Sequence, residues 1–278
     1  MKFWKMHGLG NDYILIDNRD EQTSDLEAAK LAMKLCSRRF SVGADGILFI
    51  SNSTVADLKM KIFNPDGSEA EMCGNGIRCF VKYCYENNIA RKRELIVETL
   101  AGNKQTSLTI ENGLVQTVKV DMGVPELERK NIPMIGQGTY IDEDLLVNGE
   151  AFKATCLSVG NPHCVIFVNA IDDFPVRRVG PKIEKCSLFP NKTNVEFAQV
   201  LNQNEVKVRV WERGCGETLA CGTGACATVV AGNLLKKLGS KVRVHLLGGD
   251  LEVEYSGNLL LNGAAERIFE GILFKDGV

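Results

Sequence analysis

Very little in this 278-residue chain points to a metal, a membrane or a nucleic acid. Only three histidines are present, and none of the ten cysteines forms a Cys-x-x-Cys pair, so no zinc site is expected. The formal net charge is −2, which excludes the strongly basic balance of a nucleic-acid or anionic-membrane binder. No apolar run approaches the roughly 20 residues needed to cross a bilayer. Residues 1–5 are strand-like from the start, so no signal peptide is expected, and no low-complexity tract or long linker interrupts the chain. With 45% apolar and 24% charged residues, the composition fits a soluble globular protein of one or two domains. Several cysteines (Cys36, Cys79, Cys84, Cys164, Cys226) lie inside apolar runs, where a free thiol behaves as a small hydrophobe. A reducing, cytoplasmic setting is the better reading than a disulfide framework.

What the chain does have is a duplication. Met72-Cys73-Gly74-Asn75-Gly76 and Ala220-Cys221-Gly222-Thr223-Gly224 each open a helix-like apolar stretch. Upstream, Lys59-Met60-Lys61-Ile62-Phe63-Asn64 answers Lys207-Val208-Arg209-Val210-Trp211-Glu212, both alternating with the period of a half-buried strand. Further upstream, Gly10-Asn11-Asp12 precedes Tyr13-Ile14-Leu15-Ile16, as Gly160-Asn161-Pro162 precedes His163-Cys164-Val165-Ile166. Downstream, Leu100-Ala101-Gly102-Asn103 answers Leu247-Gly248-Gly249-Asp250. Self-similarity at half the chain length reads as two copies of one domain rather than a solenoid.

The expected fold class is therefore α/β of the α+β type: two pseudo-symmetric halves, each a curled mixed β-sheet or barrel around a central helix, with the active site in the cleft between them. Glycine and proline after a strand at Asp121-Met122-Gly123-Val124-Pro125 mark the boundary. Residues 1–120 plus 266–278 form the expected N-terminal half, because the strand-like segment 268–274 has no counterpart in its own half. Residues 121–265 form the other half. Helices are expected over 26–39, with Leu26, Ala29, Met33 and Cys36 on the buried stripe, over 74–87, and over 222–237, the last apolar on nearly every face. Residues 126–131 read as a surface excursion.

A cysteine at a helix start meets unpaired N–H groups and the positive end of the helix dipole, so its thiol pKa is expected to be drawn down toward neutrality. Two such helix starts could hold a carboxylate between them, with a thiol on either side of its α-carbon. That arrangement suits moving a proton from one face of a carbon to the other, one cysteine acting as thiolate base and the other as thiol acid. Read alone, His163 is equally a core histidine, Glu212-Arg213 an ordinary strand-end pair, and Asn11, Asn64 and Asn161 turn residues.

Seven ordered blocks carry a resemblance to a known family: Lys5-Met6-His7-Gly8-Leu9-Gly10-Asn11-Asp12, Phe63-Asn64-Pro65-Asp66-Gly67-Ser68, Cys73-Gly74-Asn75-Gly76-Ile77-Arg78-Cys79, Gly160-Asn161-Pro162-His163, Thr193-Asn194-Val195-Glu196-Phe197, Trp211-Glu212-Arg213-Gly214 and Ala220-Cys221-Gly222-Thr223-Gly224. Together they resemble the diaminopimelate epimerases over nearly the whole chain. The resemblance implies an isomerase, free of pyridoxal phosphate, metal or other cofactor, that interconverts L,L- and meso-diaminopimelate for lysine and peptidoglycan synthesis, in a cytoplasmic homodimer whose partner is the small-molecule substrate rather than nucleic acid or membrane. It places the acid/base pair on Cys73 and Cys221, with His163 and Glu212 as polar helpers, and the α-carboxylate at the backbone of Gly74-Asn75 and Gly222-Thr223. It adds Asn11, Asn64, Asn161, Asn194, Glu212 and Arg213 as substrate-binding residues, Arg213 facing the distal carboxylate. Some members carry glutamine where this chain has Gly46, so any contact there would be through backbone. The alternatives are a related cofactor-independent racemase of proline, hydroxyproline or histidine, and a non-catalytic thiol or ligand-binding protein.

Overall fold

The computed structural model of the chain describes residues 1–274. Residues 275–278, part of the expected N-terminal half, lie outside the described residues. The chain divides into two units, Met1–Val120 with the chain from Gly263 onward, and Asp121–Asn262.

In chain order the first unit contains β1 Lys2–Gly8, β2 Asn11–Asp17, α1 Asp25–Leu35, β3 Gly46–Ser51, β4 Leu58–Phe63, β5 Glu69–Ala70, α2 Gly74–Glu86, β6 Glu94–Thr99, β7 Gly102–Glu111 and β8 Leu114–Gly123. The second contains β9 Tyr140–Val147, β10 Glu150–Ser158, β11 Pro162–Phe167, α3 Val176–Glu184, β12 Asn194–Asn202, β13 Glu205–Glu212, β14 Gly216–Thr218, α4 Gly222–Leu234, β15 Lys241–Leu246, β16 Gly249–Tyr255 and β17 Leu259–Gly263. The last strand, β18 Glu266–Ile272, returns to the first unit and pairs antiparallel with β1.

The two units repeat one topology. In the first, β1·β2 is antiparallel, β2·β3 parallel, β3·β4 and β4·β5 antiparallel, β4·β6 parallel, and β6·β7 and β7·β8 antiparallel. The second repeats each step with β10 to β17 in place of β1 to β8. The counterpart of β18 is β9, which pairs antiparallel with β10 as β18 does with β1. Among the described residues, neither series of pairings within a unit returns to its first strand, so each sheet stays open and is not a closed barrel.

Strand alternation places a helix on each face. Ile14, Ile16, Ile47, Phe49 and Phe63 pack with Ala28, Leu31, Ala32 and Leu35 of α1. The opposite face of the same strands, including Tyr13 and Leu48, meets α2 at Gly76. In the second unit Cys164, Ile166, Val195 and Phe197 pack with Val176, Val179 and Ile183 of α3. Glu196, on the opposite face of β12, meets α4 at Gly224. Ten residues of α2 and ten of α4 are buried, so these are the central helices that the apolar runs indicated.

One expectation is corrected, and two elements were not foreseen. α1 ends at Leu35 rather than 39, and its buried stripe is Ala28, Leu31, Ala32 and Leu35, while Leu26 and Met33 are 69% and 58% exposed. Both stripes have helical spacing, and the one rich in alanine allows the closer approach to the sheet. α3 was not among the expected helices, and it carries Gly180-Pro181, a pair that disfavours a helix interior. The glycine has a packing reason: a Cβ there would lie 2.6 Å from the Trp211 ring. β9 was not expected either. Its Asp142-Glu143-Asp144 run is not buried, and only Tyr140, Leu145 and Val147 reach the core.

Candidate active site

Each unit builds one half-site at the start of its buried helix. In the first, Cys73 is the N-cap of α2, with extended backbone (φ −138°, ψ 123°), and its sulfur accepts the Gly76 N–H at 3.4 Å. Cysteine is an unusual cap, since oxygen side chains are the preferred acceptors there. The turn Leu9-Gly10, with positive φ at both residues, sends the chain from β1 into β2. That brings Asn11 and Tyr13 to the thiol. The Tyr13 hydroxyl lies 3.0 Å from Cys73 Sγ and 2.8 Å from Asn11 Oδ1. Asn11 Oδ1 is 3.5 Å from the sulfur and accepts from Asn75 Nδ2 at 3.4 Å, and Asn11 Nδ2 donates to Asp45 at 2.8 Å.

The first turn of α2 is held from below by Arg78, which is fully buried. It donates to the Gly74 carbonyl, to Asn75 Oδ1 and to the Ala264 carbonyl at 2.8–3.1 Å. Behind Asn11, Asp12 pairs with Lys5 at 2.6 Å and with Arg38 at 2.7 Å. Burial alone would raise the Asp12 carboxyl, but the bonds from Arg38 and Lys5 outweigh it and hold the pKa at about 2. Asn64 sits in the β4–β5 turn with its Nδ2 on Ser68 Oγ at 3.0 Å.

The second half-site repeats the cap and changes the company. Cys221 is the N-cap of α4 (φ −123°, ψ 115°), and its sulfur accepts the Gly224 N–H at 3.3 Å and lies 3.4 Å from Thr223 Oγ1. His163 is fully buried, its Nδ1 2.7 Å from Glu196 Oε1 and its Nε2 2.9 Å from Asn161 Oδ1. Glu196 is also fully buried, and among the described residues its second oxygen has no hydrogen-bond partner. Glu212 accepts from the Thr218 hydroxyl. Asn194 ties the site together, donating to the Pro162 carbonyl at 2.8 Å and accepting the Arg213 N–H at 2.9 Å. The Arg213 side chain is exposed, its guanidinium 3.4 Å from the Asn191 carbonyl, and among the described residues no carboxylate pairs with it.

Burial, followed by the charges of Glu212 and Glu196, pushes the Cys221 thiol well above its ordinary range. The helix start and the bonds from Gly224 and Thr223 do not overcome this. The expected lowering is therefore corrected for Cys221, which is held as a thiol. The charges act on it from Glu196 of β12 and from Glu212 at the end of β13.

Of the residues singled out in the sequence, Asn11, Gly74 and Asn75 lie with Cys73, and Asn161, His163, Asn194, Glu212, Arg213, Gly222 and Thr223 belong to the unit of Cys221, while the side-chain bond of Asn64 is to Ser68 in the β4–β5 turn. Tyr13 and Glu196 were missed. The signal for Tyr13 was present in the repeat, where it is the counterpart of His163. Among the described residues, no group of three or more His, Cys, Asp or Glu is placed to hold a metal ion, and no helix is long and apolar enough to cross a membrane.

Comparison with known proteins follows the same lines. The family model described as Diaminopimelate epimerase matches residues 3–128 and 155–264. A diaminopimelate epimerase of Moorella thermoacetica is 53% identical over 276 residues, covering 98% of both chains. One of Methanococcus maripaludis is 46% identical, covering 98% of this chain and 99% of its own. Among solved structures, a phenazine biosynthesis protein of the PhzF family from Bacillus anthracis superposes with a TM-score of 0.72 at 18% identity over 99% of both chains. A hydroxyproline epimerase from Agrobacterium vitis superposes with a TM-score of 0.71 at 14% identity, over 98% of this chain and 90% of that one. At such identities these two show a shared fold alone.

Proposed function

The chain belongs to the diaminopimelate epimerase family, and from that premise we propose that it is an isomerase interconverting L,L- and meso-diaminopimelate by a two-thiol proton transfer at the α-carbon. The observation that carries the reading is the duplicated thiol cap, Cys73 on α2 and Cys221 on α4, within a chain alike from end to end to named epimerases. A two-base reaction needs one thiolate and one thiol. Cys221, kept protonated by burial and by Glu212 and Glu196, is the acid of the resting enzyme. Cys73 is then the base, and the assignment reverses for the opposite configuration.

The α-carboxylate goes to the first N–H groups of α2 and α4, at Gly74-Asn75 and Gly222-Thr223, because such groups have no acceptor within their own helix. Asn11 and Asn194 each keep a second amide N–H beyond the bonds described, and the Asn161 amide nitrogen has no partner among the described residues. These N–H groups, with Asn64, are assigned to the substrate's polar ends. Arg213, exposed and without a carboxylate partner among the described residues, is assigned to the distal carboxylate. His163 and Glu212 act beside Cys221. We place the enzyme in the cytoplasm as a homodimer, an expectation that light scattering on the purified protein checks.

The test is incubation with L,L-diaminopimelate, proline, hydroxyproline and histidine in deuterium oxide, following α-deuteration by NMR. Deuteration and epimerisation of diaminopimelate alone is the expected result. Exchange of a cyclic amino acid instead would transfer the assignment to the proline-type racemases.

A further inference from the structure

Tyr13 has no place in the two-thiol scheme above, yet its hydroxyl is 3.0 Å from the Cys73 sulfur. We propose that Tyr13 is a positioning residue for Cys73, its hydroxyl donating a hydrogen bond that holds the sulfur in the thiolate form. The proposal rests on the two-thiol reading for its consequence in catalysis, but the contact itself does not depend on that reading.

The first support is how the ring is held. Tyr13 is 5% exposed. A Cβ on Gly46 would lie 3.3 Å from its Cε1, and a Cβ on Gly76 would lie 3.6 Å from its Cε2. The ring passes between two glycines, one on the paired strand and one on the helix whose cap is Cys73. A side chain at Gly46 would also meet the Phe63 carbonyl at 2.9 Å. The Gly46 side of the opening is therefore kept clear by backbone, the Gly76 side is in ordinary contact, and the hydroxyl lies against the sulfur.

A second support comes from the repeat. In the parallel pair β2·β3, Tyr13 stands opposite Gly46, and in β11·β12 His163 stands opposite Asn194. The two side chains make the same bond to the same residue type: Tyr13 to Asn11 Oδ1 at 2.8 Å, His163 to Asn161 Oδ1 at 2.9 Å. Two residues further along, Leu48 stands where the second unit has Glu196. The first unit thus replaces a histidine backed by a carboxylate with a phenol backed by leucine. The second arrangement brings two carboxylates near its thiol, while the first brings a neutral donor.

Proton accounting gives the direction. The Tyr13 hydroxyl has one proton and two acceptors, Asn11 Oδ1 and Cys73 Sγ. When Cys73 is a thiol, its S–H points to Asn11 or to the phenol oxygen, and Tyr13 donates to Asn11. When Cys73 is a thiolate, the hydroxyl turns to the sulfur, and Asn11 Oδ1 keeps the bond from Asn75. Only the charged form gains a donor. The other titratable groups facing the pair are Asp45, on the segment entering β3, and Cys79 on α2, with Arg78 of α2 behind Asn75. Asp45 is already bonded to Asn11 and Arg38. Lys5 of β1 and Asp12 of β2 pair with each other. Burial, followed by the neighbouring Cys73, pushes the Tyr13 phenol well above its ordinary range, so it keeps its proton while thiols ionise.

The experiment compares wild type, Tyr13→Phe and a protein carrying difluorotyrosine at position 13, which keeps the shape and has a stronger O–H donor. Each is treated with iodoacetamide between about pH 6 and pH 10 without substrate, and the Cys73 and Cys221 peptides are quantified by mass spectrometry. In Tyr13→Phe the midpoint for Cys73 is expected to rise by about one pH unit. In the difluorotyrosine protein it is expected to fall, and Cys221 should be unchanged in both. The pH at which kcat/KM rises should move with the Cys73 midpoint, while KM at the plateau stays constant. If Tyr13→Phe does not fold, the difluorotyrosine protein carries the test. Coincident Cys73 curves in wild type and either folded variant overturn the proposal, even if diaminopimelate is epimerised normally. Displaced curves without any exchange of diaminopimelate uphold the Tyr13–Cys73 link and refute the assigned reaction instead.

Discussion

Gly76 and Gly224 occupy the same position, third in α2 and α4, and both donate their N–H to the capping sulfur. Alanine should separate them. A Cβ at residue 76 would meet Cys73 Cβ and Leu48 at 3.4 Å, ordinary contact. At residue 224 it would lie 2.7 Å from Glu196 Oε1 and 3.3 Å from the Cys221 sulfur. Glu196 cannot swing away freely, being fully buried and bonded to His163 at 2.7 Å. Replacing a helical glycine with alanine gains about 0.5–1 kcal/mol at either site. At 224 this is opposed by an overpacking cost of about 1–3 kcal/mol and by strain on a buried hydrogen bond worth about 1.5–3 kcal/mol. Gly76→Ala should therefore be neutral or slightly stabilising, and Gly224→Ala should lose about 2–4 kcal/mol. Urea and thermal midpoints, measured side by side, check this. Catalysis should follow, since the Cys221 sulfur is displaced and the Cys73 sulfur is not. If both variants shift the midpoint alike, or if Gly224→Ala melts at or above wild type, the packing argument fails.

Cys73→Ala and Cys221→Ala should each abolish epimerisation with circular dichroism unchanged, and the serine variants should bind substrate yet turn over far more slowly, because a hydroxyl ionises much less readily than a thiol; near wild-type turnover in either alanine variant removes the two-thiol mechanism. Arg213→Ala should lower kcat/KM for diaminopimelate by roughly ten- to a hundredfold, the worth of a hydrogen bond between charged groups, and should erase most of the preference for diaminopimelate over lysine; full retention of that preference places the distal carboxylate elsewhere. Burial holds the Cys36 thiol at about 11 and the Cys79 thiol at about 12. Both lie above the unfolded value, so their contribution is complete below about pH 8.5 and is lost as pH rises through the folded values. The urea midpoint should fall steadily above about pH 9, and less so in Cys79→Ala; a flat midpoint up to about pH 11 contradicts the linkage.

The architecture was legible because the repeat preserves local patterns. The alternating run before each cysteine, the glycines after it and the apolar stretch that follows are short-range features, and each became a strand, a cap and a buried helix. Elements that break the local rules for a distant reason were not legible. Gly180-Pro181 reads as a helix end until Trp211 is seen packed on the glycine. The acidic run of β9 hides a strand whose counterpart, β18, lies at the other end of the chain. The buried face of α1 was misread because two apolar stripes share one helix and only the sheet decides between them.

The site divides in the same way. Two caps in matching positions predict two thiols of like character, and helix geometry alone would lower both. The Cys221 thiol is raised instead, by burial and by carboxylates from β12 and β13. The repeat holds the reason in its differences rather than its similarities: Glu196 against Leu48, Glu212 against Asn64, His163 against Tyr13. The first residue of each pair brings an ionisable side chain to the half with Cys221; its counterpart in the half with Cys73 is leucine, asparagine or a phenol that keeps its proton. The duplicated scaffold provides matching positions, and these three substitutions within it bring two carboxylates and a histidine to the half with Cys221.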